Sequence, residues 1–363
     1  MKILIIANSD MGLYKFRREL VAELVASHDV YISLPDGEFV SHLTDMGCRF
    51  EPCALLDRHG TNPAKELKLI RYYKRLIRRI SPDVVLTYTI KPNIYGGIAC
   101  ASLKVPYVAN ITGLGTAVEN GGLMQRMLLM LYRYGLRKAR KVFFQNAANR
   151  DFMLAKGVVK GPYDLLPGSG VNTEQFSCQP YPAETSPTVF VTVGRIMRDK
   201  GADEILYAAK TVKATRPDVT FRLVGGFDGA YEEAVKAAAA EGLVEYVGQQ
   251  ADVIPFLRDS HAILHASYHE GMANVLLEAA ACGRPAVATN VPGVRETFDD
   301  GVSGIACAPR DGDALVAAIQ TFLALPHERK AAMGLAGREK VTREFNRRIV
   351  VDKYIQEINA ITP

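Results

Sequence analysis

Two glutamates eight positions apart stand in HEGMANVLLEAAAC, residues 269–282. Glu270 follows the apolar run HAILHAS, which predicts a buried strand, and Glu278 lies in a helix-like apolar stretch. We therefore expect Glu270 at a strand-to-helix turn, where open α/β sheets bind ligands. An ionised carboxylate only accepts hydrogen bonds, so the hydroxyl groups of a sugar are suitable partners for both acids.

The start of the same helix is a predicted anion site. A helix that begins near Met272 or Ala273 leaves the backbone amides of residues 271–275 as unpaired donors at the positive end of its dipole. Eight helical residues separate two carboxylates by about 12 Å, the reach from a hexose to the ribose of a nucleotide sugar. The alternative interpretation is a glutamate that only stabilises the helix dipole, beside an unrelated second glutamate.

Two cations follow another predicted strand in TVFVTVGRIMRDKGADEILYAA, residues 188–209. Gly194 ends the strand, Arg195 follows it, and Lys200 precedes a helix expected from near Ala202. A glycine lets a ligand approach the backbone, and two cations near a helix start suit a diphosphate. The segment has neither the GxGxxG nor the Walker pattern, and solvated loop charges are the alternative.

The elements that must position these residues alternate between strands and helices in both halves of the chain. Strands are predicted at residues 2–7, 30–34, 83–88, 107–111 and 141–145, and then at 188–193, 220–224, 245–247, 262–265 and 286–289. This alternation predicts an α/β fold of two doubly wound domains that face each other across a cleft. Residues 167–187, rich in proline and glycine, are predicted to be the linker.

Length and composition agree with two globular domains. The chain has 363 residues, of which 48% are hydrophobic and 23% charged. The opening MKILIIA is too short for a signal peptide, and no apolar run approaches the ~20 residues of a membrane-spanning helix, so we expect a cytosolic protein. The six cysteines form no CxxC pair, which argues against a zinc site and a disulfide framework.

Positive charge is concentrated in the first half. Residues 1–170 contain 24 Lys and Arg against 14 Asp and Glu, a balance of +10, whereas the remainder has a balance of −5. Much of the excess lies in KELKLIRYYKRLIRRI, residues 65–80, which predicts an amphipathic helix. Its basic face suits anionic lipid or a diphosphate, with a plain solvated face as the alternative and MQRMLLMLYRYGLRKARK, residues 124–141, as the next membrane candidate. No nucleic-acid partner is expected, because the basic run carries no reader motif.

Three segments together resemble one enzyme family. The E-x7-E spacing of HEGMANVLLEAAACGRPAVATNVPGVRE, the VGRIMRDKG segment and GSGVNTEQF resemble retaining glycosyltransferase family 4, and the likeness extends over nearly the whole chain. TYTIKPNIYG, residues 87–96, and ITGLGTAV, residues 111–118, look like the bacterial branch that extends lipid-linked glycans for capsule, O-antigen or protein glycosylation.

The resemblance implies a GT-B fold with two Rossmann-like domains. Residues 1–166 are then the acceptor domain, completed by a return helix at about 346–363, and residues 188–345 are the nucleotide-sugar donor domain.

The resemblance also implies roles for individual residues. Glu270 matches the acid that contacts the donor hexose, Glu278 the acid that holds the ribose, and Arg195 and Lys200 the diphosphate-binding pair. Further donor-binding positions are Gly194, Gly271, Met272, Ala273, Asn274 and Val275, with Met272-Ala273 in place of the more usual Phe-Pro. Gly12 matches a glycine loop over the phosphates, although the usual glycine pair is missing. Lys91, Asn93 and Thr112 are expected to serve the acceptor or a phosphate, or alternatively only to shape their loops.

The implied reaction moves a hexose or N-acetylhexosamine from a UDP-sugar to a polyprenyl-diphosphate-linked saccharide, with retention. Arg195, Lys200 and the helix start would stabilise the leaving diphosphate, so neither a metal nor a further cofactor is expected. The lipid acceptor implies a peripheral position on the inner face of the cytoplasmic membrane. Two alternatives stay open: a UDP-sugar 2-epimerase of the same two-domain fold, and a non-catalytic homologue that only binds a nucleotide sugar.

Overall fold

The computed structural model describes residues 1–56, 62–114, 121–228 and 230–361. Within these residues the chain forms two compact units, each built on one parallel sheet. The first unit consists of Met1–Ser169 and the residues from Arg348 onward, and the second consists of Gly170–Arg347.

The first unit contains a seven-stranded sheet. Its strands are β1 Lys2–Ile6, β2 Asp29–Leu34, β3 Arg49–Pro52, β4 Val84–Tyr88, β5 Tyr107–Ile111, β6 Lys141–Phe144 and β7 Tyr163–Leu165. They lie in the order β3-β2-β1-β4-β5-β6-β7, and every neighbouring pair is parallel. The helices are α1 Asp10–Val25, α2 Val40–Asp45, α3 Pro63–Ile80, α4 Gly97–Leu103 after a π-helical turn at Pro92–Gly96, α5 Gly122–Leu136 and α6 Ala147–Ala155.

Two buried layers cover the faces of this sheet. Successive residues of β1 alternate between them, as the pleat requires: Ile3 and Ile5 pack with α1, whereas Leu4 and Ile6 pack with α3, α4 and α5. The helix α3 begins where the sequence indicates, because Asn62 accepts a hydrogen bond from the Ala64 amide at 2.9 Å and proline occupies the first helical position.

The second unit contains a six-stranded parallel sheet in the order β10-β9-β8-β11-β12-β13. Its strands are β8 Val189–Val193, β9 Thr220–Val224, β10 Glu245–Tyr246, β11 Ala262–His265, β12 Ala286–Thr289 and β13 Gly304–Cys307. Its helices are a 3-10 turn at Arg198–Lys200, α7 Ala202–Lys213, α8 Glu232–Ala240, α9 Ile254–Arg258, α10 Asn274–Ala281, α11 Gly312–Ala324 and α12 His327–Glu344. The order places β8 and β11 side by side at the centre, so the loops after them meet.

Most of the segment predicted as a linker, residues 167–187, belongs to the second unit. Val171 and Phe176 are buried in the core of the second unit, so this proline-rich stretch is packed against that unit and is not an extended linker. The guanidinium of Arg284 is fully buried and donates to the carbonyls of Gln179, at 3.3 Å, and Pro180, at 2.6 Å.

The last helix, α13 Arg347–Asn359, returns the chain to the first unit. Val350, Val351 and Ile358 are buried in the layer that also holds α1. The buried hydroxyl of Tyr354 accepts a hydrogen bond from Asn110 Nδ2 at 2.7 Å, so β5 and α13 are also joined by a polar contact.

Across the described part of the chain, which includes all six cysteines, every cysteine is a free thiol and only Cys178 is exposed. No helix among the described residues combines the length and apolar character that crossing a membrane requires.

Candidate functional site

Two glycines open the backbone at the carboxyl ends of β8 and β9. Gly194 has φ +143° and Gly225 has φ +154°, and a Cβ atom on Gly225 would lie 1.8 Å from the Gly194 carbonyl oxygen. Only glycine permits this approach of two strand ends. The chain therefore turns sharply after β8 and leads directly into the loop that carries both predicted cations.

The second cation is fixed against the loop that follows β11. Gly201 adopts φ +71°, and a Cβ atom there would lie 2.3 Å from the Ala266 carbonyl oxygen. The Tyr268 amide donates to the Asp199 carbonyl at 2.9 Å and joins the two loops a second time. As a result, the ammonium group of Lys200 forms an ion pair with the carboxylate of Glu270.

Glu270 is the centre of a polar cluster. Besides the ammonium of Lys200, its Oε1 faces the Ser267 hydroxyl at 2.8 Å and His265 Nε2 at 3.1 Å. Its side chain is 14% exposed, against 7% for His265. Because an ionised carboxylate can only accept, the imidazole must carry its proton on Nε2 when it bonds to Glu270.

These partners keep Glu270 ionised. Burial raises the pKa of this carboxyl, but the charge of Lys200 and the hydrogen bond from His265 more than offset it, so the net pKa lies well below the usual value. Glu270 is therefore a fixed negative charge and a hydrogen-bond acceptor, and at neutral pH it has no proton to give to a leaving group.

A third loop, after β12, packs against the backbone of Glu270 and Ser267. Gly293, with φ +82°, lies so close that a Cβ atom would be 2.5 Å from the Glu270 carbonyl oxygen. The Thr289 hydroxyl donates to the Ser267 carbonyl at 2.6 Å. No motif in the sequence marks His265, Ser267, Thr289 or Gly293 as site residues; the one signal is that His265 and Thr289 end predicted strands.

The helix start differs from the prediction in two ways. Helix α10 begins at Asn274, and the amides of Ala273 and Asn274 already donate, to the Gly293 carbonyl at 2.8 Å and the Met272 carbonyl at 2.9 Å. The prediction of five unpaired amides at residues 271–275 is therefore wrong for these two. The side chains of Met272 and Ala273 are buried in the core of the unit, so these two residues present mainly their backbone to a ligand, whereas Val275 is only partly buried.

The predicted spacing of the two acids is also wrong as derived. The helix covers only Asn274–Ala281, so residues 270–273 contribute no regular helical rise between Glu270 and Glu278. Glu278 is a partly buried residue in the second turn of α10. The Asn274 side chain lies at the start of this helix, and its buried Oδ1 has no hydrogen-bond partner among the described residues.

Arg195 is held less firmly than Lys200. Its side chain is 59% exposed and pairs with Asp228. Both predicted cations border a small crevice of about 20 Å³ in the second unit, whose lining is mainly apolar and includes Ile196, Ile205 and Leu223. The diphosphate role of Arg195 and Lys200 therefore stays a prediction, with Arg195 paired to Asp228 and Lys200 to Glu270.

The first unit has a pocket of its own at the carboxyl ends of its strands. It encloses about 270 Å³ and is lined by Asn8, Leu56, Thr89, Ile90, Lys91, Thr112 and Gly113. The ammonium of Lys91 is paired with Glu66, in the first turn of α3, at 2.7 Å. Thr89 has φ +74°, a strained conformation for a β-branched residue and one that the sequence does not reveal.

Asn93 does not line this pocket, and its predicted ligand role is wrong. The residue is fully buried. Its Oδ1 accepts from the Thr87 hydroxyl at 2.7 Å, and its Nδ2 donates to the Asn110 carbonyl at 2.7 Å. Asn93 therefore joins β4 and β5 to the π-helical turn, because a polar residue buried there must satisfy its hydrogen bonds internally.

Gly12 lies in the first turn of α1, where its amide donates to the Ser9 side chain at 3.1 Å. A Cβ atom on Gly12 would meet only Ser9, at 3.5 Å and beyond. The fold of the first unit therefore gives no steric reason for glycine at this position. Of the motif ITGLGTAV, residues 115–118 lie outside the described residues.

Family models match both halves of the chain. The Glycosyl transferase 4-like model matches residues 2–146, and the Glycosyl transferases group 1 model matches residues 174–340. Two relatives align over most of the chain. A Campylobacter jejuni protein named N,N'-diacetylbacillosaminyl-diphospho-undecaprenol alpha-1,3-N-acetylgalactosaminyltransferase is 23% identical and covers 98% of each chain. A Mycolicibacterium smegmatis protein named GDP-mannose-dependent alpha-(1-6)-phosphatidylinositol monomannoside mannosyltransferase is 34% identical over 90% of this chain and 89% of its own.

Solved structures of the same architecture extend over the whole chain. HepE from Anabaena, solved in complex with UDP-glucose, matches with a TM-score of 0.81 at 20% identity over 99% of both chains. Sucrose-phosphate synthase from Thermosynechococcus elongatus matches with a TM-score of 0.79 at 22% identity over 99% of both chains. These likenesses confirm the predicted GT-B fold of two Rossmann-like α/β domains.

Proposed function

Since this chain belongs to the group 1 glycosyltransferases, of the family 4-like type, we propose that it transfers a hexose or N-acetylhexosamine from a UDP-sugar to a polyprenyl-diphosphate-linked saccharide, with retention. Such a reaction serves the synthesis of bacterial surface glycans or glycoproteins. The names of both relatives support a lipid-linked acceptor, one a diphospho-undecaprenol and the other a phosphatidylinositol mannoside. The UDP complex of HepE supports the choice of nucleotide.

The observation that carries the proposal is the Glu270 cluster. A buried carboxylate, kept ionised by Lys200 and His265, can accept hydrogen bonds from the hydroxyl groups of a donor hexose. It also offers a fixed negative charge to the positive charge that grows at the anomeric carbon. Lys200 then interacts with both Glu270 and the leaving diphosphate.

The rest of the donor site follows from the same loops. Arg195 and Lys200 stabilise the diphosphate as its negative charge grows, which is the role that a metal ion fills in other transferases. Gly194 and the backbone of Gly271 and Val275 give the phosphates access to the main chain, and Glu278 accepts from the ribose hydroxyls. No metal ion or further cofactor takes part in this mechanism.

Retention follows from attack on the face from which the diphosphate leaves. The bond between the anomeric carbon and the diphosphate oxygen breaks, the acceptor hydroxyl oxygen bonds to that carbon, and the departing phosphate takes up the hydroxyl proton. Glu270 is ionised and hydrogen-bonded to Lys200, His265 and Ser267, so it acts as an electrostatic partner and not as a covalent nucleophile.

We assign the acceptor to the first unit and the donor to the second. In the first unit, Lys91 and Thr112 line a pocket whose size and single ammonium suit the diphosphate of a lipid-linked acceptor. Gly12, next to the carboxyl end of β1, is retained as a phosphate contact. The lipid tail of the acceptor makes the enzyme a peripheral protein of the inner face of the cytoplasmic membrane.

A donor panel and a product analysis test the proposal on the full chain. UDP-sugars and GDP-sugars are compared by thermal shift, where a ligand at about 100 times its Kd adds about 2.7 kcal/mol to the free energy of unfolding. Transfer from the best donor to a polyprenyl-diphosphate saccharide is then followed by NMR. We expect stabilisation by a UDP-sugar and an α-linked product from an α-linked donor.

Three results would contradict it. Stabilisation by GDP-sugars alone would show that the donor carries GDP and not UDP. A β-linked product from an α-linked donor would overturn retention. Formation of an epimeric UDP-sugar without acceptor would identify an epimerase.

A further inference from the structure

The outer face of α5 is unusually apolar. Leu123, Met127, Met130 and Tyr134 follow one another at intervals of four, three and four residues, so they share one side of the helix, which we call the apolar ridge. Leu123 is 83% exposed and Met130 is 61% exposed. The opposite side of α5 is buried in the core, so the helix is apolar on both sides although the described residues of the chain cover only one.

Positive charge lies beside the ridge. Arg126 belongs to α5, Arg137 and Lys138 directly follow its last residue, and all three are exposed. The Arg137 guanidinium lies 3.6 Å from the centre of the Tyr134 ring. Residues 120–150 contain neither Asp nor Glu. An apolar ridge with cations beside it and no acid fits an anionic lipid surface, where apolar side chains enter the acyl boundary and cations remain at the head groups.

The basic helix α3 lies in the same layer. Its buried residues Leu69, Tyr73 and Ile77 share one core with Leu129 and Tyr132 of α5, on one face of the first sheet. The outer sides of both helices therefore point away from that face. On its outer side α3 exposes Lys68, Arg71, Arg75, Arg78 and Arg79, and of its large apolar residues only Leu67 is exposed.

The first turns of both helices lie toward the pocket of the first unit. Glu66, in the first turn of α3, pairs with the pocket residue Lys91. The helix α5 follows β5, and Thr112, directly after that strand, also lines the pocket. In a parallel sheet the helix after a strand starts near the carboxyl end of that strand, so Leu123 is at the same edge.

We propose that the outer faces of α3 and α5 form one membrane-contact surface, in which the apolar ridge enters an anionic leaflet and the cations of α3 supply long-range attraction. This inference rests on the proposed function, because it places the leaflet beside the pocket assigned to a lipid-linked acceptor. It differs from the prediction based on charge alone: α3 brings the protein to the surface, and the ridge holds it there.

Co-sedimentation with vesicles tests the two helices separately. The vesicles contain phosphatidylcholine with or without phosphatidylglycerol, and the full chain carries one of three sets of changes. The ridge variant is Leu123→Ser with Met127→Ser and Met130→Ser, the basic variant is Arg75→Gln with Arg78→Gln and Arg79→Gln, and the control is Val302→Ser with Leu335→Ser, two exposed apolar residues of the second unit.

We expect the ridge variant to bind anionic vesicles at least tenfold more weakly than the wild type, at low and at high salt, because apolar burial is not screened. The basic variant should lose about tenfold at low salt only, since exposed charges are screened within ~10 Å at about 0.1 M. The control should bind like the wild type. Equal thermal stability of all four proteins shows that each folds.

Two results overturn the inference. One is a ridge variant that binds vesicles as well as the wild type does. The other is a wild-type dimer in sedimentation velocity that the ridge changes dissociate while vesicle binding is absent, which would assign the ridge to a second copy of this chain. Vesicle binding needs no substrate, so a protein that requires the ridge for binding but transfers no sugar to a lipid-linked acceptor would contradict the proposed function and leave this inference standing.

Discussion

Each unit places one lysine–glutamate pair at the carboxyl ends of its parallel strands, and the two pairs are built differently. In the second unit, the Glu270 carboxylate pairs with Lys200 and is also hydrogen-bonded to Ser267 at 2.8 Å and His265 at 3.1 Å. Close backbone contacts at glycines hold these loops together. In the first unit, Lys91 pairs with Glu66 at 2.7 Å, at the start of α3 and beside an open pocket.

The difference shows that the carboxylate of the second unit is held in place by more contacts than the carboxylate of the first. At Glu270 the carboxylate is the fixed centre and its position depends on three loops, which suits the electrostatic role proposed for it. The pair in the first unit joins one helix to one turn and leaves the ammonium at the rim of the pocket. Burial, and then the charge of Glu66, raises the pKa of Tyr95, so this carboxylate also organises a neighbouring hydroxyl.

The largest expected effect separates the two carboxylates. Glu270→Gln should lower kcat on the order of 10³-fold, because the change removes the negative charge that pairs with Lys200 and the reacting sugar. Glu66→Gln should lower kcat less than about tenfold. The measurement is steady-state transfer to a soluble acceptor analogue at saturating donor. Equal losses in the two variants would abolish the distinction.

Replacing the lysine of each pair should also affect kcat differently in the two units, by a smaller factor than replacing the glutamate. We expect Lys200→Ala to lower kcat by ~10² or more and Arg195→Ala by a similar factor, since each removes a charge partner of the leaving diphosphate. Lys91→Ala should instead raise the KM for the acceptor and leave kcat nearly unchanged. Wild-type turnover should persist in EDTA; loss of turnover that magnesium restores would show that the cations are not sufficient.

A buried histidine of the second unit should set its acid stability. Burial, with Lys330, His327 and Arg284 nearby, lowers the pKa of His261 to about 4, and its Nδ1 accepts from the Val189 amide at 3.2 Å. The unfolded chain, with a pKa of about 6.5, binds the proton more tightly. Stability is therefore complete above about pH 6.5 and falls by about 3 kcal/mol as the pH drops to about 4.

Urea unfolding of the wild type and of His261→Gln across this pH range measures the effect. The variant should be less stable at pH 7 and should lose less on acidification. Because the pKa of Glu270 lies well below its usual value, activity that is lost between pH 6.5 and 4 should follow unfolding. A wild type whose stability is constant over this interval would contradict the assignment to His261.

The two acids of the donor motif should differ by about tenfold in nucleotide binding. Glu278→Ala should weaken UDP and the UDP-sugar alike, because the change removes a charged acceptor from the ribose. Glu270→Ala should leave UDP affinity unchanged. Isothermal titration with UDP distinguishes them, and equal losses of UDP affinity would contradict the division between hexose and ribose.

The smallest effect concerns two glycines at helix starts, one in each unit. Gly12→Ala should stabilise the fold by about 0.5–1 kcal/mol, since alanine favours helix and the added Cβ atom meets only ordinary contacts. Gly201→Ala should destabilise the second unit, where the Cβ atom would meet the Ala266 carbonyl oxygen at 2.3 Å. Thermal unfolding measures both. A stabilised Gly12→Ala variant with reduced kcat/KM would support a phosphate contact, whereas unchanged kcat/KM would remove Gly12 from the site.

The sequence predicts the centre of each sheet better than its edges. Central strands such as β4 and β11 are buried on both faces and read as continuous apolar runs. The strands that the sequence did not predict, β3, β7 and β13, are all edge strands. β3 ends in proline, β7 has only three residues, and β13 starts with glycine, so none of them carries a strong strand pattern.

The site was predictable where chemistry requires rare residue types at a fixed spacing. Glu270, Lys200 and Arg195 stand out because charged residues follow buried strands. Ser267, Thr289 and Gly293 do not, because their contribution arises only when three loops from distant parts of the chain meet. Asn93 shows the opposite error: a polar residue in a turn looks available in the sequence, although the fold turns it inward to satisfy two strands.

The return of the chain to the first unit at Arg348 has a consequence for biosynthesis. The second unit is one continuous segment, Gly170–Arg347, and can complete its core as soon as it leaves the ribosome. The first unit, although synthesised earlier, lacks Val350, Tyr354 and Ile358 until the segment after Arg347 has been made. At about 5–20 residues per second, the nascent chain carries an uncovered sheet face for roughly 10–40 s. Until α13 is made, the N-terminal half exposes apolar surface that this helix later covers, so it is the part of the chain at greater risk of aggregation during synthesis.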